Sequence, residues 1–270
     1  MRPRQWKDWF KSWRSRQDRM RYRASRVERE ELARLAALPR YTRTATRLLG
    51  PTITLPDSAS FVWTYRDIFQ RELYAFRTRS ERPYIIDGGA NIGLSVLYFK
   101  RLYPLAEIVA FEPDPYIFGL LQGNLRSHGH DDVRLEQCAL WSSETSLLFH
   151  SDGADGGRVA REDAAGTAVQ AVRLREYLDR HVDLLKLDIE GAETEVLRDC
   201  RDGLDKVERL YLEYHSTVGQ PQTLHVVLEI LAAAGFRVQI LPCSVASRPL
   251  IDPPVTSGMD LQLHVFGIRP

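Results

Sequence analysis

Cysteine is scarce in this chain, and long apolar runs are missing from it. The three cysteines among its 270 residues, Cys138, Cys200 and Cys243, are isolated, so they form neither a zinc-site spacing nor a disulfide framework. No apolar run approaches the ~18 residues that a membrane-spanning helix requires, and the N-terminus lacks the apolar core of a secretory signal. These absences argue against an integral membrane protein and a disulfide-stabilised secreted domain. We expect a cytoplasmic location.

Basic charge is concentrated at the N-terminus, although the net charge of the whole chain is only +1. Residues 1–30 hold eleven Lys or Arg against four Asp or Glu, and aromatic residues recur there at the spacing of one helix face, at Trp6, Trp9, Phe10 and Trp13. This segment could dock on the protein itself or on a partner subunit, lie on an anionic membrane surface at the inner membrane face, or bind nucleic acid. The acidic balance of the remaining chain argues against nucleic acid.

Composition and patterning divide the chain into three parts. The chain is 44% hydrophobic and 27% charged, which is typical of a globular protein. Residues 1–40 form a basic, aromatic helical extension, residues 41–82 a lead-in or cap, and residues 83–270 the main domain. Within the lead-in, residues 51–56 are expected to be extended and the aromatic residues 61–76 partly helical. That aromatic stretch either packs on the sheet edge or covers a cleft, with Tyr65 and Tyr74 as candidate wall residues.

Strand and helix patterns alternate through the main domain. Strands are predicted at residues 84–87, 108–111, 133–139, 184–189 and 207–214, and helices at 94–102, 116–127, 192–201 and 222–234. Residues 141–150 are expected to form an antiparallel strand, 151–157 a polar loop and 174–180 a short helix. Two last strands, 237–241 and 261–266, form an antiparallel pair at one edge. Such alternation predicts a mostly parallel sheet with helices on both faces.

A glycine-rich turn follows the first strand of this domain. Asp87 ends the strand, and Gly88, Gly89 and Gly93 let the turn close and let a ligand approach the backbone. The pattern Asp-x-Gly-x-x-x-Gly differs from the Gly-x-Gly-x-x-Gly of dinucleotide sites. A carboxylate in the turn repels phosphate and suits a cationic ligand, such as the sulfonium and amino group of S-adenosylmethionine.

A second acid follows the next strand, 25 residues later. Glu112 ends that strand and is placed to accept hydrogen bonds from both hydroxyls of a ribose, while Pro113 and Pro115 turn the chain away at once. Either acid alone is weak evidence, because such turns often only pack a helix on a sheet. The pair, in its strand and helix context, predicts a nucleoside-bearing cofactor.

The fourth strand and the turn after it carry the largest group of charges. Lys186 and Asp188 alternate along the strand and so point to the same side, and Glu190 and Glu193 follow. In one interpretation these residues are structural: Lys186 pairs with Glu213 of the next strand, and the glutamates suit a helix start.

In the other interpretation this group supplies the catalytic base. Asp188 or Glu190 accepts a proton from an acceptor hydroxyl, and His215, at the end of the fifth strand, is a rival base. Asp188, Glu190 and Glu213 also offer hard oxygen ligands, but no histidine–carboxylate spacing demands a metal, and we expect none.

The blocks at residues 84–93, 111–115, 184–193 and 212–215 together resemble the FkbM family of S-adenosylmethionine-dependent methyltransferases. The resemblance extends over about residues 61–266. Its most specific part is the pair Asp-Gly-Gly-Ala-Asn-Ile-Gly and Lys-Leu-Asp-Ile-Glu-Gly-Ala-Glu. It implies an α/β class I methyltransferase fold, a Rossmann-like three-layer sandwich. The seven-stranded, mostly parallel sheet would have the order 3-2-1-4-5-7-6, with strand seven antiparallel, after an N-terminal helical extension.

The resemblance also implies roles for individual residues. The methionine end of the cofactor would be lined by Asp87, Gly89, Asn91 and Gly93, with the ribose held by Glu112. The adenine would lie near Pro113, Asp114, Cys138 and Ala139, and Asp188 would face the sulfonium.

Family members typically methylate hydroxyl groups of sugars, polyketides or other secondary metabolites, so the resemblance implies an O-methyltransferase. A catalytically silent or partner-dependent scaffold and a nucleic-acid methyltransferase that uses the basic arm remain alternatives. A nicotinamide-dependent dehydrogenase is disfavoured by the glycine spacing.

Overall fold

The computed structural model describes residues 24–154, 156–159, 166–245, 248, 250–251, 255 and 258–269. The aromatic face expected between Trp6 and Trp13 lies outside these residues, so its helix, membrane contact and self-association stay predictions. Within the described ranges, no helix is both long enough and apolar enough to cross a membrane.

The end of the N-terminal extension and the lead-in together form a small helical and hairpin unit. Helix α1 (Arg26–Ala36) is followed by the antiparallel hairpin of β1 (Thr44–Thr46) and β2 (Ile53–Leu55), and by helix α2 (Ser58–Tyr65). The side chains of Ser25 and Asp57 cap the two helices by accepting backbone N–H groups. Helix α2 continues as a π-helical stretch, Arg66–Gln70, and residues 71–76 are not helical.

Strands and helices then alternate along the chain, with short 3-10 turns at Leu174–Tyr177 and Arg201–Lys206. In chain order these elements are β3 (Tyr84–Gly88), α3 (Leu94–Leu102), β4 (Glu107–Phe111), α4 (Pro115–Ser127), β5 (Arg134–Glu136), β6 (Ala139–Trp141), β7 (Thr145–His150), β8 (Arg158–Val159), β9 (Thr167–Arg173), β10 (Leu184–Leu187), α5 (Glu193–Cys200), β11 (Arg209–Thr217), α6 (Leu224–Ala233), β12 (Arg237–Pro242) and β13 (Met259–Ile268).

Seven of these strands form the central sheet, in the order β12-β13-β11-β10-β3-β4-β5. The ladders from β11 through β10, β3 and β4 to β5 are parallel, and β13 is antiparallel to both of its neighbours. Numbered along the chain within this sheet, the order is 3-2-1-4-5-7-6. The predicted fold class and the antiparallel seventh strand are confirmed.

Successive residues of the parallel strands feed two separate cores, because side chains alternate across a sheet. Ile85 and Ile108 point to the face covered by α1 to α4, whereas Ile86 and Val109 point to the face covered by α5 and α6. Strands buried on both faces read as continuous apolar runs, which is why they could be recognised in the sequence. The result is a three-layer sandwich with the carboxyl ends of the parallel strands along one edge.

A second sheet, of order β6-β9-β7-β8, was not predicted. Where a single strand was expected at 133–139, the structure has two strands. β5 completes the central sheet, and β6 pairs with β9 in the second sheet. The expected strand at 141–150 is interrupted after Trp141 and resumes at Thr145. The core of this sheet is small and consists of Ala139, Phe149, Val169 and Ala171. Because so few apolar residues are buried in it, its strands give only a weak pattern in the sequence.

Candidate functional site

A cleft of about 750 Å³ runs along the carboxyl ends of β3, β4, β10 and β11. Ligands of open α/β sheets bind in this position, at the point where the strand order reverses on either side of β3. One half of the cleft is lined from β3, β4 and the small sheet, and the other half from β10, β11 and β13.

The glycine turn after β3 forms the floor of the first half. Gly89 has φ +77°, and a Cβ atom there would lie 1.9 Å from the carbonyl oxygen of Asp188. The N–H groups of Gly89 and Ala90 both donate to the carbonyl of Phe111. Only glycine fits at this crossing of β3 and β10, so the turn is held against both neighbouring strands.

The carboxylate of Asp87 does not face the cleft. It is fully buried, its Oδ2 accepts a hydrogen bond from Ser95 Oγ at 2.5 Å, and its Oδ1 lies 3.1 Å from Lys186 Nζ. Burial opposes the charge of Lys186, but the charges of Asp87 and Asp188 outweigh burial and raise its pKa. The expected pairing of Lys186 with Glu213 is therefore wrong for direct contact, because Lys186 pairs with Asp87 on the other neighbouring strand.

Glu112 lines the cleft with its carboxylate. Each oxygen accepts one backbone N–H, Oε1 from Asp114 at 2.9 Å and Oε2 from Asn91 at 3.0 Å, and burial raises the pKa of Glu112 to about 7. A carboxylate oxygen has two lone pairs, so each oxygen can accept one further donor. The group is thus able to hold a pair of vicinal hydroxyls.

Hydrogen bonds of Asp114 and Asn91 close the outer wall of this half. Asp114 caps α4 by accepting the N–H groups of Tyr116 and Ile117, with Pro115 at the first helical position. Asn91, with φ +48°, donates from Nδ2 to the carbonyl of Ala154 in the loop after β7. The loop predicted at 151–157 therefore meets the glycine turn across the cleft.

Asp188 and Glu190 lie where the two halves of the cleft meet. Burial, together with the charge of Glu213, raises the pKa of Asp188 to about 7, and burial raises that of Glu190 well above its usual range. Glu190 has φ +55°, a conformation that costs about 1–3 kcal/mol in a residue other than glycine and recurs at functional sites.

His215 lies behind these carboxylates and does not line the cleft. Its Nδ1 is 2.9 Å from Glu193 Oε1, and its Nε2 is 3.5 Å from Glu213 and 3.8 Å from Glu190. Burial opposes protonation, but the charges of Glu193 and Glu190 outweigh it and raise the pKa of His215 well above its usual range. The surrounding carboxylates of Glu193, Glu213 and Glu190 therefore favour the protonated form of the ring.

A polar wall on β11 and β13 forms the second half of the cleft, and only part of it was foreseen. The Tyr211 hydroxyl donates to Glu213 Oε2 at 3.0 Å and lies 2.7 Å from His264 Nδ1, and Tyr74 packs edge-on against Tyr211. Burial would raise the pKa of Glu213, but its hydrogen bond to His215 and the charge of that ring lower it to about 2. Gln262 and Cys243 complete this wall.

Some of these side chains could hold a metal ion. The ligating atoms of Asp188, Glu213 and His215 all lie within 4.8 Å of one another, and so do those of Glu213, Cys243 and His264. A third group, His181, Asp183 and Glu208, has the same compactness, but Asp183 already accepts hydrogen bonds from Thr78 and from the backbone of Tyr84.

Eight of the eleven residues predicted to lie at the cofactor line the cleft: Gly89, Asn91, Glu112, Pro113, Asp114, Cys138, Ala139 and Asp188. The other three, Asp87, Gly88 and Gly93, lie behind it. A Cβ atom on Gly88 would meet Leu140 at 2.8 Å, and one on Gly93 would meet Leu121 at 2.8 Å. Gly88 and Gly93 therefore allow the turn and α3 to pack closely. The spacing of glycines in the sequence does not distinguish this packing role from contact with a ligand.

Comparison with known proteins gives a family match over residues 87–238, to the model described as the methyltransferase FkbM domain. Methyltransferase sdnD of Sordaria araneosa is 33% identical over 215 residues, which cover 65% of this chain and 77% of that protein. The 31-O-demethyl-FK506 methyltransferase FkbM of Streptomyces tacrolimicus is 26% identical over 229 residues, covering 70% and 86%.

One solved structure has the same fold. Methyltransferase FkbM from Methylobacillus flagellatus KT is 15% identical and superposes with a TM-score of 0.51, over 77% of this chain and half of that one.

Proposed function

Because the chain belongs to the FkbM family of methyltransferases, we propose that it methylates a hydroxyl group of a sugar, glycan or other secondary metabolite. Its methyl donor is S-adenosylmethionine. The observation that supports a hydroxyl acceptor is the position of Asp188, whose side chain lines the cleft where its two halves meet. Burial and the charge of Glu213 raise the pKa of this carboxylate to about 7.

The first half of the cleft fits a nucleoside-bearing donor. Glu112 keeps one acceptor position on each oxygen for the ribose hydroxyls, and Asp114, Ala139 and the backbone of Gly89 and Asn91 line the space around it. When bound, S-adenosylmethionine supplies a methyl group on a positively charged sulfur. The carboxylate of Asp188 at the junction favours such a positive charge.

Asp188 is the residue best suited to take the acceptor's hydroxyl proton. A base works best when its pKa lies near the operating pH. The pKa values of Glu190 and His215 are both raised well above their usual ranges, which favours their protonated forms, and Glu213 with a pKa of about 2 is a weak base. An Oδ atom of Asp188 receives the proton, while Glu213 stays ionised and accepts hydrogen bonds from other hydroxyls of the acceptor.

The second half of the cleft supports an acceptor with several hydroxyls. Glu213, Gln262, His264 and Tyr211 offer both donors and acceptors along one wall. Trp63 lines the mouth and is 67% exposed, so it offers a flat apolar face to a ring. The name of the Streptomyces tacrolimicus relative specifies transfer to an oxygen, which agrees with this acceptor class.

The test uses methyl-labelled S-adenosylmethionine with a panel of glycosides, polyols and macrolide alcohols. Products are treated with alkali, because methyl esters release methanol whereas methyl ethers are stable, and mass spectrometry separates O-methyl from N-methyl products. Asp188→Asn is expected to lower kcat by about 10²–10⁴-fold, the usual contribution of a general base, while S-adenosylhomocysteine affinity changes less than threefold.

Asp202→Asn, with a side chain 80% exposed beyond α5, is the control variant and should act like wild type. Alkali-labile or N-methyl products, or an Asp188→Asn variant with wild-type kcat, would contradict the proposal.

A further inference from the structure

Lys186 is a buried lysine in the middle strand of the sheet, 2% exposed. Its Nζ donates to the carbonyl of Gly88 at 3.1 Å and to that of Gly89 at 2.5 Å. The third close partner is Asp87, whose Oδ1 lies 3.1 Å from Nζ in an ion pair without a well-aligned hydrogen bond. Two of the three N–H donors of the ammonium are therefore given to backbone carbonyls of the turn that borders the cleft.

All three partners belong to the end of β3 and the turn that follows, whereas Lys186 belongs to β10. The parallel ladder between the two strands ends at the Leu187 and Gly88 pair, and the last backbone bond runs from Asp188 N to Gly88 O. Beyond that point the Lys186 ammonium is the hydrogen-bonding link from β10 to Gly89, the first residue of the turn that lines the cleft.

We propose that Lys186 is a positioning residue for the methyl donor. It fixes the carbonyls of Gly88 and Gly89 and thereby orients the backbone from Gly89 to Asn91 that lines the donor half of the cleft. The inference concerns donor binding in this family and is independent of the acceptor chosen above.

A purely structural role predicts something different. If Lys186 only neutralised the buried carboxylate of Asp87, then removing both charges together would restore the protein, since replacing both partners of a buried ion pair is often neutral. The double variant Asp87→Asn with Lys186→Met therefore separates the two roles. Asp87→Asn alone keeps the contacts of Lys186 to the two carbonyls.

Lys100 offers a matched control. Its ammonium is also buried, with Nζ 2.8 Å from the carbonyl of Ala106 and 2.6 Å from Asp132 Oδ2, but it lies on α3 away from the donor cleft. Lys100→Met removes a lysine with the same kinds of partner, so it reports the cost of losing a buried lysine without a change at the cleft.

The experiment measures S-adenosylhomocysteine dissociation constants by calorimetry and melting temperatures without ligand. We expect the double variant to melt near wild type and to bind at least tenfold more weakly, Asp87→Asn to bind within threefold of wild type, and Lys100→Met to melt lower but bind normally. Lys186→Met is measured too, and weak binding is expected if it folds.

Wild-type affinity in the double variant, or a loss of affinity in Asp87→Asn equal to that in the double variant, would overturn the proposal. No acceptor is needed, so failure here is distinct from failure of the proposed hydroxyl methylation.

Discussion

Replacing Gly89 by alanine tests whether the crossing of β3 and β10 shapes the donor half of the cleft. The added Cβ would lie 1.9 Å from the carbonyl oxygen of Asp188, whereas ordinary van der Waals contact begins at 3.4 Å. The Asp188 carbonyl or the turn must therefore move by about 1.5 Å, a distance large enough to matter because a misplacement of ~1 Å can cost ~10²-fold in rate.

The expected loss of stability has two parts. A positive φ costs alanine about 1–2 kcal/mol, and forcing extra atoms into a packed region costs about 1–3 kcal/mol more. Gly129 has φ +74°, close to the +77° of Gly89, but has no atom within 4 Å of its ideal Cβ position. Gly129→Ala therefore measures the first part alone, and Gly89→Ala should lose about 2–5 kcal/mol of unfolding free energy against about 1–2 for the control.

Urea unfolding and calorimetric titration with S-adenosylhomocysteine measure both consequences. Gly89→Ala is expected to bind at least tenfold more weakly than Gly129→Ala, which should bind like wild type. The reasoning is that Gly89 is required by the close approach of the two strands and not by its φ alone. It would be refuted if the two variants had unfolding free energies within about 0.5 kcal/mol of each other and equal affinities for S-adenosylhomocysteine.

Two further predictions concern protonation. The folded-state pKa of Glu112, about 7, lies above its usual 4.5, so the stabilisation from its bound proton is full below pH ~4.5 and is lost as pH rises through ~7. Urea unfolding from pH 4.5 to 8 should show wild type losing up to about 3 kcal/mol more than Glu112→Gln, and parallel curves would contradict this. For His215, whose pKa is raised, the ring should titrate above the usual value of about 6.5, and an NMR titration of its Cε1–H with a midpoint at or below 6.5 would contradict this.

The central sheet was predictable because β3, β4 and β10 are buried on both faces and are therefore short apolar runs followed by a charged or glycine residue. The strand β9 was missed because only Val169 and Ala171 along it are buried. Its place depends on pairing with β7, from Phe149 opposite Thr167 to Thr145 opposite Ala171, which is not a local contact. Local pattern carries little information about such non-local pairing.

The site shows the same division between local and non-local information. Asp188 and Glu112 were recognised because an acid at the end of a buried strand is a local signal. The partner of Lys186 was mistaken because this strand has neighbours on both sides, and alternation gives the side of the sheet but not the neighbour. His264 joins the cleft only through the antiparallel register of β13 against β11, which places it opposite Glu213. The predicted strand order made these two strands neighbours, so this register could have been worked out from the sequence.

The position of β3 inside the sheet, between β4 and β10, has a consequence for biosynthesis. Its second neighbour, β10, is encoded about 100 residues later, since Ile85 pairs with Leu184. At a synthesis rate of about 5–20 residues per second, the growing chain waits about 5–20 s for that partner. During this interval one edge of β3 has no strand to pair with, and Asp87 has not yet met Lys186. A nascent chain at this stage is a natural client for chaperones that cover open strand edges.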